Sequence, residues 1–342
     1  MAIGILTSGG DCPGLNAVIR AVVLKGTQVY GQEFLGFMDG WRGVNEGDAI
    51  PLIRKDIQGI GKLGGTILGT SRTNPFEGGD EKAERARANL KRLGVDALVV
   101  VGGEGSLSAA KRLADLGVNI VAVPKTIDND LSGTDSTFGF DTAVGIATDA
   151  FDRLRTTGDS HGRVMVAEVM GRHAGWIALA SGMAAGAHAI LIPEQRTPWS
   201  KLMGWVESAR DRGRSPLVVV AEGFIPEGGT EAYSDQGLDA FGRPRLGGIG
   251  EIVTAEIEAR TGIEARCTTL GHIQRGGTPS AYDRVLATRF GLAAIDAVMH
   301  ERFGRMVSLR GTEITHVPIE DAIGRLNTVP QHRYDEAAIL FG

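Results

Sequence analysis

The chain has 342 residues but only two cysteines, Cys12 and Cys267. One pair in a chain this long makes no disulfide framework. With no CxxC and no Cys/His cluster, zinc is not expected. Neither charge is in excess: 36 Lys and Arg stand against 41 Asp and Glu, a net charge of −5. Such a chain carries no global field for nucleic acid or an anionic membrane. No run approaches the ~18 apolar residues of a membrane span. The opening MAIGILTSGGD lacks a basic segment followed by an apolar one, so no signal peptide is expected. These absences point to a soluble, reduced, cytoplasmic protein. Two nucleotide fingerprints are also missing. Gly103-Glu104-Gly105 lacks the third glycine of GxGxxG, and Gly64–Ser71 (GGTILGTS) has Thr70 where a Walker A motif needs lysine. An ordinary dinucleotide dehydrogenase and a P-loop enzyme are both disfavoured.

Glycine, in contrast, is abundant. Fifty glycines are about twice the usual ~7% of residues. They fall in short polar segments after apolar runs, with no collagen-like period. Strands are expected at Ile3–Leu6, Phe34–Phe37, Ala97–Val101, Ile120–Val123, Val164–Val169, Ala189–Ile192, Leu217–Val220 and Cys267–Leu270. Helices are expected at Gly14–Tyr30, Glu81–Leu93, Ser106–Leu116, Asp141–Thr157, Arg172–Ala185, Lys201–Arg212, Gly250–Arg260 and Tyr282–Phe303. Runs such as ALVVV and PLVVV suit strands covered on both faces. The alternation argues for an α/β protein of two doubly wound domains with mostly parallel sheets. Phe224–Gly248 is the longest irregular piece and reads as an exposed excursion.

Four loops repeat one design of strand, polar glycine turn and helix: LTSGGDCPGLN, VVVGGEGSLSA, VAEVMGRHAGW and LGHIQRGGTPS. Ligands of open α/β sheets lie at the carboxyl ends of strands, so the four loops suggest one cleft with two halves. In the first loop, Gly9 and Gly10 precede a helix whose N-terminal N–H groups suit phosphate. In the second, Glu104 follows Gly102-Gly103. A carboxylate beside a phosphate cradle calls for a cation between them, and Mg²⁺ takes one or two carboxylates plus phosphate oxygens and water. The bland alternative is a Glu capping the helix that starts at Ser106. Lys125-Thr126-Ile127-Asp128-Asn129-Asp130 forms an acidic corner suited to a base on a hydroxyl and a contact to Mg²⁺. Its plain alternative is an Asx-turn. Arg163, Arg172, Arg266 and Arg275 border the later loops, and Arg forks match phosphate oxygens.

Together TSGGDCPGLNAVIR, GGEGS, PKTIDND, VMGRHAGW and LGHIQRGG resemble the 6-phosphofructokinase family, in that family's order, over residues 7–277. The resemblance implies transfer of a phosphoryl group to the C1 hydroxyl of fructose 6-phosphate. It implies Asp128 as base, with Thr126 and Arg172 stabilising charge on the transferred group. Glu104, with Asp130, would hold Mg²⁺. Gly10, Arg72, Thr73, Gly103, Glu104, Gly105 and Ser106 would bind the donor. Thr126, Asp128, Arg163, Met170, Gly171, Arg172, Glu222, Arg266, His272 and Arg275 would bind the sugar phosphate. Arg163 and Arg266 would reach in from a neighbouring subunit, which implies a homotetramer. The implied domains are 1–140 plus about 273–325 for the donor, and about 141–272 plus 326–342 for the sugar phosphate.

Two positions bear on the donor and disagree. The family's pyrophosphate users have an acid where Gly105 stands, occupying the space of the ATP α-phosphate. They also carry the lysine found here as Lys125. A steric block excludes ATP, whereas a lysine only adds attraction, so ATP is the expected donor and pyrophosphate the alternative. A non-catalytic nucleotide-binding regulator on the same fold is disfavoured, because Glu104, Asp128 and Asp130 would then crowd charge without use. Arg20, Arg54, Arg155 and Arg214 are candidate contacts for an effector such as ADP or phosphoenolpyruvate. Leu24 stands where the family has a second helix arginine.

Overall fold

The computed structural model describes residues 2–229, 233–238 and 244–342. In chain order the elements are β1 (Ala2–Ser8), α1 (Leu15–Tyr30), β2 (Glu33–Phe37), α2 (Trp41–Glu46), β3 (Ala49–Pro51), α3 (Glu81–Arg92), β4 (Val95–Gly102), α4 (Glu104–Asp115), β5 (Ile120–Pro124), α5 (Phe140–His161), β6 (Val164–Val169), α6 (Trp176–Ala184), β7 (Ala189–Leu191), α7 (Trp199–Asp211), β8 (Leu217–Ala221), β9 (Tyr233–Leu238), β10 (Pro244–Leu246), α8 (Ile249–Thr261), β11 (Ala265–Thr269), α9 (Ala281–Met299), β12 (Arg305–Arg310), β13 (Glu313–Pro318), α10 (Ile319–Ile323) and α11 (Gln331–Ala338).

The chain divides into two compact units. The first comprises Met1–Ile127, Leu131–Thr142 and Arg275–Leu326. The second comprises Asp128–Asp130, Ala143–Gln274 and Asn327–Gly342. Among the described residues, the first unit's sheet has the order β13-β12-β5-β4-β1-β2-β3. Its inner pairs are parallel, while β3 and β13 add antiparallel edges. The second unit's sheet, β11-β6-β8-β7, is parallel throughout. The doubly wound α/β fold expected from the alternation is therefore present.

The apolar runs behave as their composition requires. Leu98, Val99, Val100 and Val101 are fully buried in β4, and Val218, Val219 and Val220 in β8. Parallel strands covered on both faces have no wet side, so their sequences do not alternate. One core packs Leu6, Leu98 and Val100 with Trp41, Leu107 and Leu113. The other packs Val164, Val166 and Val218 with Leu202, Val206 and Val253.

Several boundaries differ from the sequence reading. The helix expected from Ser106 begins at Glu104, because extended Gly103 turns the chain immediately after β4. The helix expected from Arg172 begins at Trp176, since Gly171 has φ 138° and the chain turns before it can coil. The last long helix stops at Met299, and Glu301 follows with φ 53°. The hairpin β12–β13 escaped the sequence reading, although β12 carries apolar Met306, Val307 and Leu309 and Gly311 marks its turn. Within the stretch read as an exposed excursion, β9 and β10 pair antiparallel and Phe224 is only 1% exposed. Residues 230–232 and 239–243 of that stretch lie outside the described residues.

Helices α1 and α9 meet through a glycine. A β-carbon on Gly291 would stand 2.7 Å from the Val18 carbonyl oxygen and 2.8 Å from Ala21 Cβ. Backbone cannot yield as a flexible side chain can, so Gly291→Ala must push the helices apart. We expect a loss of about 1–3 kcal/mol, the usual cost of overpacking, read from urea unfolding. An unchanged midpoint would show that the two helices do not approach this closely.

Candidate active site

In the first unit three strand ends are aligned. Ser8 pairs with Gly102 across β1 and β4, and Gly102 with Pro124 across β4 and β5. The segments that follow, Gly9–Asp11, Gly103–Ser106 and Lys125–Ile127, therefore leave the sheet side by side. Two of them run into helix N-termini. Helix α1 starts after Gly14 with no acid in its first turn, and α4 starts at Glu104. Such ends present free N–H groups and partial positive charge.

The first loop is held from several sides. Gly9 N–H donates to Ser71 O at 3.0 Å, and Thr70 Oγ1 donates to Gly9 O at 2.7 Å. This places Ser71 along the loop, followed by exposed Arg72 and half-buried Thr73. Lys125, only 4% exposed, donates from Nζ to Gly10 O. Arg275 Nη1 donates to Asp11 O at 3.2 Å. A β-carbon on Gly10 would stand 2.4 Å from that same Nη1, so the bare Cα makes room for the guanidinium. The sequence reading gave Lys125 to the donor and Arg275 to the sugar phosphate; the structure also bonds both cations to the first loop.

Helix α4 carries the second group. Glu104 and Gly105 are exposed in its first turn, and Ser106 is buried beneath it. Ser108 Oγ donates to Glu104 Oε1 at 3.4 Å. The Glu is thus the first helical residue, not a cap ahead of Ser106. Among the described residues, no three His, Cys, Asp or Glu side chains cluster as a metal cage. An exposed carboxylate at a helix N-terminus fits a cation brought in on phosphate oxygens, which needs only one or two protein ligands.

The second unit supplies another aligned rim. Glu168 pairs with Thr269 across β6 and β11, and Val169 with Ala221 across β6 and β8. Met170, Gly171 and Arg172 leave beside Glu222, whose N–H donates to Val169 O. Gly223 N–H donates to Gly171 O, and a β-carbon on Gly223 would lie 2.0 Å from Arg172 O. His272 is exposed in the 3₁₀ turn Gly271–Arg275. Asp128, Asn129 and Asp130 group with this unit, and Asn129 has φ 52°.

Arg163 and Arg266 stand apart from that rim, at the start of β6 and on β11. Arg163 Nε meets Glu264 at 2.7 Å, and Arg266 Nη1 meets Glu258 at 3.3 Å. Arg163, by its hydrogen bond, holds the Glu264 carboxyl below its usual range. The sequence reading missed Glu264 as the partner of both arginines, although it lies two residues before Arg266.

The candidate effector residues fall two in each unit. In the first unit, Arg20 lies on α1 beside Gly61, and Arg54 is exposed after β3. In the second, Arg155 Nη2 donates to Ala185 O and Gly186 O beyond the end of α6. Arg155 and Arg214 lie near His188, whose pKa is lowered by burial and then by these cations and Arg212.

Comparison with known proteins agrees with this construction. Residues 2–298 match the family model described as Phosphofructokinase. A Streptomyces coelicolor protein named pyrophosphate--fructose 6-phosphate 1-phosphotransferase is 59% identical over 343 residues, covering all of both chains. ATP-dependent 6-phosphofructokinase 3 of the same species is 54% identical, covering 98% of this chain and 99% of its own. The crystal structure of Pichia pastoris phosphofructokinase in the T-state superposes with TM-score 0.84 at 33% identity. It covers 99% of this chain and 36% of the Pichia chain. The chain belongs to the phosphofructokinase family.

Cys12 tests the description of the first loop. It is fully buried, and burial pushes its thiol up to about 12 despite nearby Lys125. A raised thiol pKa leaves almost no thiolate at pH 8, and thiolate is the reactive form. Native protein should therefore react at Cys12 with a disulfide reagent only on unfolding. Rapid labelling at pH 8, located by peptide mapping, would contradict a closed loop.

Proposed function

We propose that this protein transfers the γ-phosphoryl group of ATP to the C1 hydroxyl of fructose 6-phosphate, giving fructose 1,6-bisphosphate and ADP, the phosphofructokinase step of glycolysis. The observation that carries the reading is the aligned ending of β1, β4 and β5. It starts the loop that leads to α1, the N-terminus of α4 and the Lys125–Ile127 segment at one edge of one sheet. Asp128 accepts the C1 hydroxyl proton as the sugar oxygen attacks the γ-phosphorus and ADP leaves. Thr126 and Arg172 stabilise the charge spread over the transferred group, since phosphoryl transfer depends mainly on positioning and electrostatics. Gly10, Arg72, Thr73 and Gly103–Ser106 bind the donor. Glu104 and Asp130 are the proposed Mg²⁺ carboxylates; the cation, when bound, neutralises donor phosphate charge.

Met170, Gly171, Glu222, His272 and Arg275 take the sugar phosphate. Arg163 and Arg266 serve the site of a neighbouring subunit in a homotetramer. Arg266 is exposed on the edge strand β11 and half-buried Arg163 stands just before β6, both paired with Glu264, which supports that role. The proposed location is the cytoplasm; among the described residues no helix is long and apolar enough to cross a membrane. Regulation by ADP or phosphoenolpyruvate through Arg20, Arg54, Arg155 and Arg214 belongs to the same proposal.

Donor choice rests on Gly105. The first turn of α4 is exposed there and bears no side chain, which leaves room for an α-phosphate. Lys125 and the 59% identical relative favour the second reading, pyrophosphate as donor. Against it, the Lys125 ammonium is bonded to Gly10 O, so its presence is compatible with a role in holding the loop. A coupled assay with fructose 6-phosphate and Mg²⁺ should show turnover with ATP; activity with pyrophosphate alone would reverse the choice. Gly105→Asp should abolish ATP use, and steady ATP turnover by that variant would defeat the steric argument. Asp128→Ala should lower kcat by about 10²–10⁴, the usual worth of a general base. A loss below tenfold in initial-rate measurements would remove Asp128 from that role.

A further inference from the structure

The turn that carries Asp128 is built partly by residues far along the chain. Asn327 Nδ2 donates to Asn129 O at 2.8 Å, and Asn327 N–H donates to Asp130 O at 2.8 Å. Its own carbonyl accepts Trp176 Nε1–H at 2.8 Å. One residue thus uses a side-chain donor, a backbone donor and a backbone acceptor. It ties the Asp128–Asp130 turn to the first residue of α6. A second clamp lies two residues on. Glu194 Oε1 accepts Val329 N–H at 2.8 Å and Gly175 N–H at 3.0 Å. Gly175 is the residue before α6, three residues after Arg172. The 327–329 segment is therefore strapped to both the Asp128 turn and the Arg172 turn, all within the second unit.

The turn needs such support. Asn129 sits at φ 52°, in the left-handed region that non-glycine residues enter at a cost. A strained residue persists only where its surroundings over-determine it. Of the two bonds from Asn327, one falls on the carbonyl of that strained residue and the other on the next.

We infer that Asn327 is a positioning residue for the proposed base, fixing the Asp128–Asp130 turn through the carbonyls of Asn129 and Asp130. This rests on the functional reading above. It predicts a specific asymmetry. Removing the side-chain amide leaves the backbone bonds of the strap intact but takes this donor from Asn129 O. The carboxylate of Asp128 then samples orientations that do not meet the C1 hydroxyl, and a misplacement of about 1 Å can cost about 10²-fold in rate.

The test compares Asn327→Ala and Asn327→Asp with wild type, using ATP and pyrophosphate in parallel. With the donor that wild type uses, both variants should lose about 10–100-fold in kcat, with donor KM within about twofold. Asn327→Asp should lose at least as much as Asn327→Ala, because it sets a carboxylate against a carbonyl oxygen. Hydrogen–deuterium exchange over residues 126–132 should rise in both variants, a readout that does not depend on the reaction. A lowered Tm with wild-type kcat well below the transition would mean a merely structural strap and overturn the proposal. So would unchanged exchange over 126–132, whatever the activity. Wild-type turnover with neither donor would sink the functional reading instead, and exchange alone would then decide whether Asn327 holds the turn.

Discussion

Hydrogen-bonded register between neighbouring strands governs this molecule. Because Gly102 is partnered by Ser8 on one side and by Pro124 on the other, three loops must start at the same height. No loop residue could achieve this alone. A shift of one residue in β4 would invert its side chains between faces. It would also pull Glu104 away from the level of Lys125. The apolar residues that fill the strands thus do more than stabilise. Their burial on both faces fixes the register, and the register sets where the polar loops begin.

Glycine and positive charge divide the next task. Glycine lets chain segments approach closely, as where Gly10 faces Arg275 and Gly223 faces Arg172. Lys125 and Arg275 then bond the carbonyls that the turn leaves exposed. A loop whose carbonyls are engaged from behind can aim its N–H groups outward. The cations would therefore support the proposed anion site in two ways, through their field and through the peptide orientation that they hold.

Much of this was legible in the sequence, and the reasons for the failures are local. Long apolar β-branched runs identified β4 and β8, and five motifs together were specific where each alone was weak. The start of α4 was misjudged because Glu104 and Gly105 look like loop residues. Their helical state depends on Gly103 turning the chain at once. The start of α6 was misjudged because Arg172, His173 and Ala174 look helical, whereas Gly171 holds a φ they cannot follow. Partnerships across long separations were invisible. Nothing local in LNTVP tells that Asn327 bonds residues 129 and 130. Nor does Ser71 reveal that its carbonyl receives Gly9. Periodicity reports which face is buried, not which distant carbonyl a donor will find.

The four-stranded sheet ends at β11, whose outer row of backbone groups has no neighbouring strand among the described residues. An open parallel edge is a template for unwanted strand addition. Here that border carries Arg266 with Glu258 and Glu264 in ion pairs. Stripping solvent from fixed charges is expensive, so a stray extended peptide finds poor purchase there. Colloidal safety and recognition of a sugar phosphate would then draw on the same arginine, and neutralising it would expose the chain to aggregation as well as to lost turnover.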